Sequence, residues 1–334
     1  MITIAANSCR GKYKPYFFIF TYYFLIFCTM KKISNGILSI SVENHGAELS
    51  SIRYNGREYL WGAYPEFWKR HSPVLFPIVG SIWNGMYSSH GESFKMGQHG
   101  LARDLDFQLI KEEADYLEYE LRSSEETLCK YPYPFILRIG YKLSGKSIDV
   151  IWKVENPSDK DMYFQIGAHP AFYWPLLSNE TIENGVDAMN AELAKSDDRG
   201  YFYFSEKPAE IVRTLITEGG CVDIDKKQSL KVSDGYLPLT TETFNHDALV
   251  LEHDQVHEVT LCDKDKKPYL TLSWDAPLVG LWSPPQKNAP FVCIEPWYGR
   301  ADRANYDGTF EDKDWMQCLA PHKTFEVRYT ITLH

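Results

Sequence analysis

No CxxC pair occurs in this chain, although it has seven cysteines, at positions 9, 28, 129, 221, 262, 293 and 318. An odd, scattered set excludes both a disulfide framework and a zinc-site spacing. Cys262 and Cys293 lie in apolar runs, which reads as buried reduced thiols in a reducing, cytoplasmic setting. Positive charge is also short. Thirty-five Lys and Arg face 45 Asp and Glu, a net charge of −10, and no basic stripe relieves it. Nucleic acid is thereby excluded as a partner. A phosphorylated small molecule stays open, since one local arginine can hold a phosphate on an acidic protein. Missing too are GxSxG, the Walker loop and GxGxxG, so serine hydrolysis and nucleotide use have no support. No long stretch keeps apolar residues at i, i+3, i+4 and i+7, which excludes long amphipathic helices.

One apolar run stands apart. Residues 15–28 are aromatic-rich, follow Arg10, Lys12 and Lys14, and precede Met30-Lys31-Lys32. The run is short for a membrane span but has the length of a signal-peptide core. No small-x-small cleavage site follows, and the alternative is an upstream extension with synthesis starting at Met30. Residues 1–31 are set aside as a terminal extension, so a membrane or export role depends on that segment alone. Residues 32–334 are expected to form one domain.

Aromatic residues at 15% and apolar residues at 44% supply a large core. The dominant period within it is two, the mark of half-buried strands. Ile148, Val150, Trp152 and Val154 share one face. Phe325, Val327, Tyr329, Ile331 and Leu333 do the same, as do Leu117, Tyr119 and Leu121. Asn55-Gly56, between residues 51–54 and 57–61, predicts a two-residue hairpin turn. A further strand is expected over 105–110, with short helical turns near 65–69 and 312–317. Many strands punctuated by turns, without crossover helices, imply an all-β, large antiparallel sandwich.

Two titratable groups sit inside otherwise apolar, strand-like runs, where desolvation moves a histidine and a carboxylate toward workable acid–base values. His169, in Gly167-Ala168-His169-Pro170, is held extended by the proline that follows; a satisfied core histidine is the competing reading. Glu295, in Cys293-Ile294-Glu295-Pro296-Trp297, is a carboxylate out of keeping with burial; the competing reading is a salt bridge to Arg300 or Arg303. Aromatics beside a carboxylate suit the apolar faces of sugar rings. His99-Gly100 lies in a loop, and Arg103 either fixes that loop or meets a substrate. Asp247 either accepts sugar hydroxyls or caps a turn. His246, His253 and His257 alternate with acids and read as a solvated edge. His99, His169 and Glu295 would match a two-histidine, one-carboxylate metal set, but acid–base use is preferred and no metal is expected.

In this order, His99-Gly100 with Ala102-Arg103, Gly167-Ala168-His169-Pro170 and Cys293-Ile294-Glu295-Pro296 resemble the aldose 1-epimerase, or galactose mutarotase-like, family over residues 34–334. The early motif Ser72-Pro73-Val74-Leu75-Phe76-Pro77-Ile78-Val79-Gly80 is similar to a divergent bacterial branch. The resemblance implies a β-supersandwich with Glu295 as general base and His169 as general acid. It further implies His99 near the ring oxygen and Asp247 on sugar hydroxyls. No cofactor is implied, because only protons move. One departure stands out: Gly80-Ser81 occupies the place of an expected Gly-Arg, and Arg70 is the candidate to substitute in space. The expected substrate is a hexose and the expected assembly a monomer or homodimer. A hexose-6-phosphate epimerase would need a basic subsite, for which Arg70, Arg103 and Lys69 are the candidates. A third reading is a catalytically weak sugar-binding protein that kept the fold.

Overall fold

The computed structural model describes residues 30–334; residues 15–28 and the question of a start at Met30 lie outside them. Two large antiparallel sheets face each other. One has nine strands, in the order Tyr236–Pro238, Tyr201–Tyr203, Glu258–Cys262, Pro268–Trp274, Thr324–Leu333, Ser147–Glu155, Ile136–Ser144, Tyr116–Arg122 and Gln108–Glu113. The other runs Val222–Lys231, Glu210–Ile216, Leu249–Leu251, Leu278–Trp282, Phe291–Tyr298, Ile166–Ala168 and Val74–Leu75, with Ala171–Tyr173 also on Phe291–Tyr298. A four-stranded sheet from Lys31–Ser34, Leu38–Val42, Leu49–Tyr54 and Arg57–Glu58 adds to them, with two-stranded pairs Met162–Phe164 with Gln317–Leu319 and Met86–Ser89 with Glu92–Lys95.

The period-two reading explains the packing. Along Ser147–Glu155 burial alternates strictly, with Ile148, Val150, Trp152 and Val154 inward. They share one continuous core with Leu249, Leu251, Val279, Leu281, Val292 and Ile294 of the opposite sheet. Each such aliphatic side chain contributes roughly 1.5–3 kcal/mol when fully buried. Ser147–Glu155 is clamped over its whole length, from Ser147↔Thr332 to Glu155↔Thr324 on one side and from Ser147↔Ser144 to Glu155↔Ile136 on the other. In the terminal strand the inner ends of the pattern, Tyr329, Ile331 and Leu333, are buried, while Phe325 and Val327 are only half-buried.

The turn at Asn55-Gly56 forms as expected. Both residues have positive φ, 51° and 76°, the requirement of a type I′ hairpin, and Tyr54 pairs with Arg57. The expected strand at 105–110 begins instead at Gln108. Near 65–69 and 312–317 single hydrogen-bonded turns form, with the Tyr64 carbonyl accepting from the Phe67 and Trp68 N–H groups, but neither extends into a helix. Helices lie elsewhere: Glu125–Leu128, Asn179–Glu183 and Val186–Leu193. The longest buries only Met189 and Leu193, one turn apart, too little apolar periodicity to notice. Among the described residues no helix is long and apolar enough to cross a membrane.

Candidate active site

Seven of the eight residues of Phe291–Tyr298 are buried, so this strand is covered on both faces. Val292 and Ile294 point into the core between the sheets. Phe291 and Cys293 turn the other way, into a cluster with Trp61, Ala171 and Tyr173. Alternation then puts Glu295 and Trp297 on that second face. The neighbouring chain pairs Gly167 with Trp297 and Ala171 with Cys293. That register brackets His169 directly across from Glu295, although His169-Pro170 itself leaves the ladder. Sheet register therefore brings together two residues 126 positions apart in sequence.

Three small features hold the pair in place. A Cβ on Gly167 would lie 2.6 Å from the Trp297 ring, and one on Gly280, which pairs with Glu295, would overlap that ring. Both positions are kept bare by the indole. Trp297 Nε1 donates to the Ala168 carbonyl at 3.2 Å, tying the residue before His169 to the strand of Glu295. Trp68 stacks on the His169 ring at 4.7 Å and 26°, and Trp282 meets it edge-on at 5.4 Å.

His169 Nε2 lies 3.4 Å from Glu295 Oε2, with both side chains almost wholly buried. Burial, reinforced by the charge of Arg103, holds the imidazole down at about 3. Burial, reinforced by Asp247, drives the Glu295 carboxyl well above the usual carboxylate range. Burial thus presses both groups the same way, toward a neutral imidazole and away from a carboxylate. His169 Nδ1 and Glu295 Oε2 are buried without a hydrogen-bond partner among the described residues, an arrangement that a polar ligand would relieve.

The pair opens onto a hollow of about 220 Å³. His99, Arg103 and Asp247 line it as well, so five of the sequence candidates meet in one place. His99 has φ +64°, and its Nδ1 accepts from the Gly80 N–H at 3.1 Å. Its proton therefore sits on Nε2 in the neutral ring, and burial, followed by the nearby His169 and arginines, keeps that ring neutral. The His99 and His169 rings meet edge to face at 5.4 Å. Arg103 Nη2 donates to the Gln98 carbonyl at 2.8 Å, which fixes the loop, and its side chain also lines the hollow.

Arg70 does not join them. Its Nη2 donates to Asp104 Oδ1 at 2.7 Å, and it is not among the lining residues. Nor does Lys69 line the hollow. Glu295 makes no salt bridge to Arg300 or Arg303; these pair with Glu252 and Asp314. Arg300 still lines the hollow, but its donors are committed to Glu252, Asp314 and the Ala301 carbonyl. The sequence reading missed Trp68 and Trp282 as walls of the site. Trp68 lies in a turn with no periodicity to mark it. His99 falls outside the tightest possible ligand group: His169, Cys293 and Glu295 each place one atom within 4.8 Å of the others. Such a nitrogen, sulfur and oxygen set suits a zinc-like ion, although burial holds the Cys293 thiol strongly toward its protonated form.

Comparison with known proteins agrees with this geometry. The family model described as aldose 1-epimerase matches residues 30–332. The LacX protein of Lactococcus lactis subsp. lactis, chromosomal form, is 31% identical over 310 residues, covering 90% of this chain and 98% of that protein. The X-ray structure of a galactose mutarotase related enzyme from Lactobacillus acidophilus superposes with a TM-score of 0.82 at 32% identity, covering 92% of this chain and 97% of that one. A galactose mutarotase-like protein from Lactobacillus casei ATCC 334 gives a TM-score of 0.79 at 26% identity, over 92% and 100%. With its supersandwich sheets and a family match spanning almost every described residue, this chain belongs to the aldose 1-epimerase family.

Proposed function

We propose that the protein interconverts the α and β anomers of a hexose by acid–base ring opening and closure, with Glu295 as base and His169 as acid. The supporting observation is the 3.4 Å approach of these two groups at the floor of a small hollow. The Glu295 carboxylate takes the proton of the anomeric hydroxyl, whose O–H electrons form the C1 carbonyl. The bond from C1 to the ring oxygen breaks, and that oxygen receives the proton of His169 Nε2. After rotation about C1–C2, His169 takes the proton back, the oxygen attacks the other carbonyl face, and Glu295 reprotonates the new hydroxyl.

The pair enters ring opening as carboxylate and imidazolium and leaves it as carboxylic acid and neutral imidazole. The second state is the direction in which burial presses both groups, and the first differs from it by one proton shift across the 3.4 Å gap. Sugar ring faces pack on Trp68, Trp282 and Trp297, while His99 Nε2–H, Arg103 and Asp247 meet hydroxyls. Ser81, in place of the expected arginine, gives its carbonyl to the Asp302 N–H at 2.9 Å, and Arg103 supplies a guanidinium to the hollow.

Polarimetry of freshly dissolved α-galactose and α-glucose tests this directly. The unmutated protein should accelerate the decay of rotation. Glu295→Gln and His169→Asn should each lose roughly 10²–10⁴-fold, the range of general acid–base assistance, while still binding sugar. If the unmutated protein binds sugar and leaves the decay rate unchanged, it is a carbohydrate-binding protein instead.

A further inference from the structure

Glu48, in the turn before the strand Leu49–Tyr54, is only 7% exposed and does not line the hollow. It makes no ion pair with a lysine or arginine among the described residues; the half-buried His71 approaches it, with Nδ1 3.8 Å from Oε1. A buried carboxylate without a counter-charge is costly unless hydrogen bonds hold it. Here Oε1 accepts from the backbone N–H groups of His71 at 2.6 Å and Ser72 at 2.8 Å. The charge is thus committed to one stretch of backbone. That stretch makes two contacts with the surroundings of His169. Trp68, three residues before His71, lies flat on the His169 ring at 4.7 Å, and its carbonyl accepts from Trp61 Nε1 at 2.9 Å. The His71 carbonyl accepts from the Ala171 N–H at 2.9 Å, two residues beyond His169. The turn of Glu48 also abuts the loop of Arg103. Gly46 N–H donates to the Leu105 carbonyl at 2.8 Å, and a Cβ on Gly46, at φ +67°, would lie 3.0 Å from the Arg103 carbonyl. Arg70 closes the set by donating to Asp104 at 2.7 Å.

We propose that Glu48 is a positioning residue for anomer exchange: it holds the segment from Trp68 to Ser72 so that Trp68 and the link to Ala171 fix the His169 ring against Glu295. The inference rests on the mutarotase reading, since only a proton transfer from His169 makes the placement of that ring matter for turnover. A charged acceptor shortens and strengthens its hydrogen bonds, and one oxygen taking two successive N–H groups fixes both peptide planes. Turnover is sensitive to such placement: a shift of about 1 Å caused far from the chemistry can cost roughly 10²-fold. Glu48 lies outside the hollow, so its contribution enters through Trp68 and the chain at Ala171.

Exchange NMR of galactose at anomeric equilibrium, with urea unfolding to confirm that each variant is folded, tests this with two substitutions. Glu48→Asp keeps the charge and shortens the reach; it should lower kcat roughly 10²-fold, with KM moving far less. Glu48→Gln keeps the reach and an acceptor oxygen, and it should retain most of the unmutated kcat. In a Trp68→Ala background Glu48→Asp should cost markedly less than it does alone, because the ring it places is gone. The same cycle run with Glu48→Gln, whose smaller loss should shrink likewise, keeps the test in force if Glu48→Asp does not fold. An unchanged kcat in folded Glu48→Asp, a loss as large in Glu48→Gln, or a loss undiminished beside Trp68→Ala overturns this inference and leaves the mutarotase reading standing. No catalysis of exchange by the unmutated protein overturns the mutarotase reading, and this inference with it.

Discussion

At the scale of single residues, the site works by withholding water from two groups that would otherwise titrate normally. Trp68 lies flat on His169, and its ring is part of what keeps the imidazole at about 3. Trp68→Ala should readmit solvent, raise the His169 value toward 6.5, and move the acid limb of the kcat profile upward. Trp68→Phe, which restores a flat ring, should return the limb most of the way. A merely structural role would lower activity at every pH without displacing the limb. Glu295 and His169 were legible from sequence because each is a titratable group amid apolar neighbours. Trp68 and Trp282 were not, since an indole among other apolar and aromatic residues carries no charge to stand out.

At the scale of elements, register does the positioning. Because the chain pairs Gly167 with Trp297 and Ala171 with Cys293, a slip of one residue would turn Glu295 into the core. Gly280→Ala tests how tightly this is set. The added methyl overlaps the Trp297 ring, so the variant should lose about 1–3 kcal/mol of stability, measured by urea unfolding. Its kcat should fall further than its sugar affinity, because the shifted strand carries the base. Strands with strict alternation, such as Ser147–Glu155, could be read from the sequence to within a residue or two. Short two- or three-residue strands, such as Val74–Leu75 and Ile166–Ala168, could not be delimited, because each is too short for a period to show. The helices Asn179–Glu183 and Val186–Leu193 escaped for a related reason: the first buries nothing and begins on a Ser178 cap rather than an apolar face.

At the scale of the whole molecule, burying the acid–base pair links stability to pH. The folded protein refuses a proton on His169 until about pH 3, whereas the unfolded chain accepts it near 6.5. Between those values the unfolded state binds more protons, so stability falls as pH drops through that window. His99, depressed for the same reason, adds to the loss. Glu295 acts with the opposite sign: its raised folded value stabilises at low pH and costs stability as pH rises above 4.5. Calorimetry at pH 7, 5.5 and 4 should therefore show His169→Gln losing less Tm on acidification than the unmutated protein. Equal slopes for the two would show that His169 is not buried in its neutral form.

Cys293, two residues before Glu295 and on the same strand face, is sealed by the sheet with its thiol pushed far up, whereas Cys129 and Cys318 lie exposed. Alkylating reagents should mark those two surface sulfurs at once and reach Cys293, followed in its own peptide apart from the buried Cys221 and Cys262, only when its strand lifts away. The rate of that slow labelling becomes a clock for how often the floor beneath Glu295 comes apart.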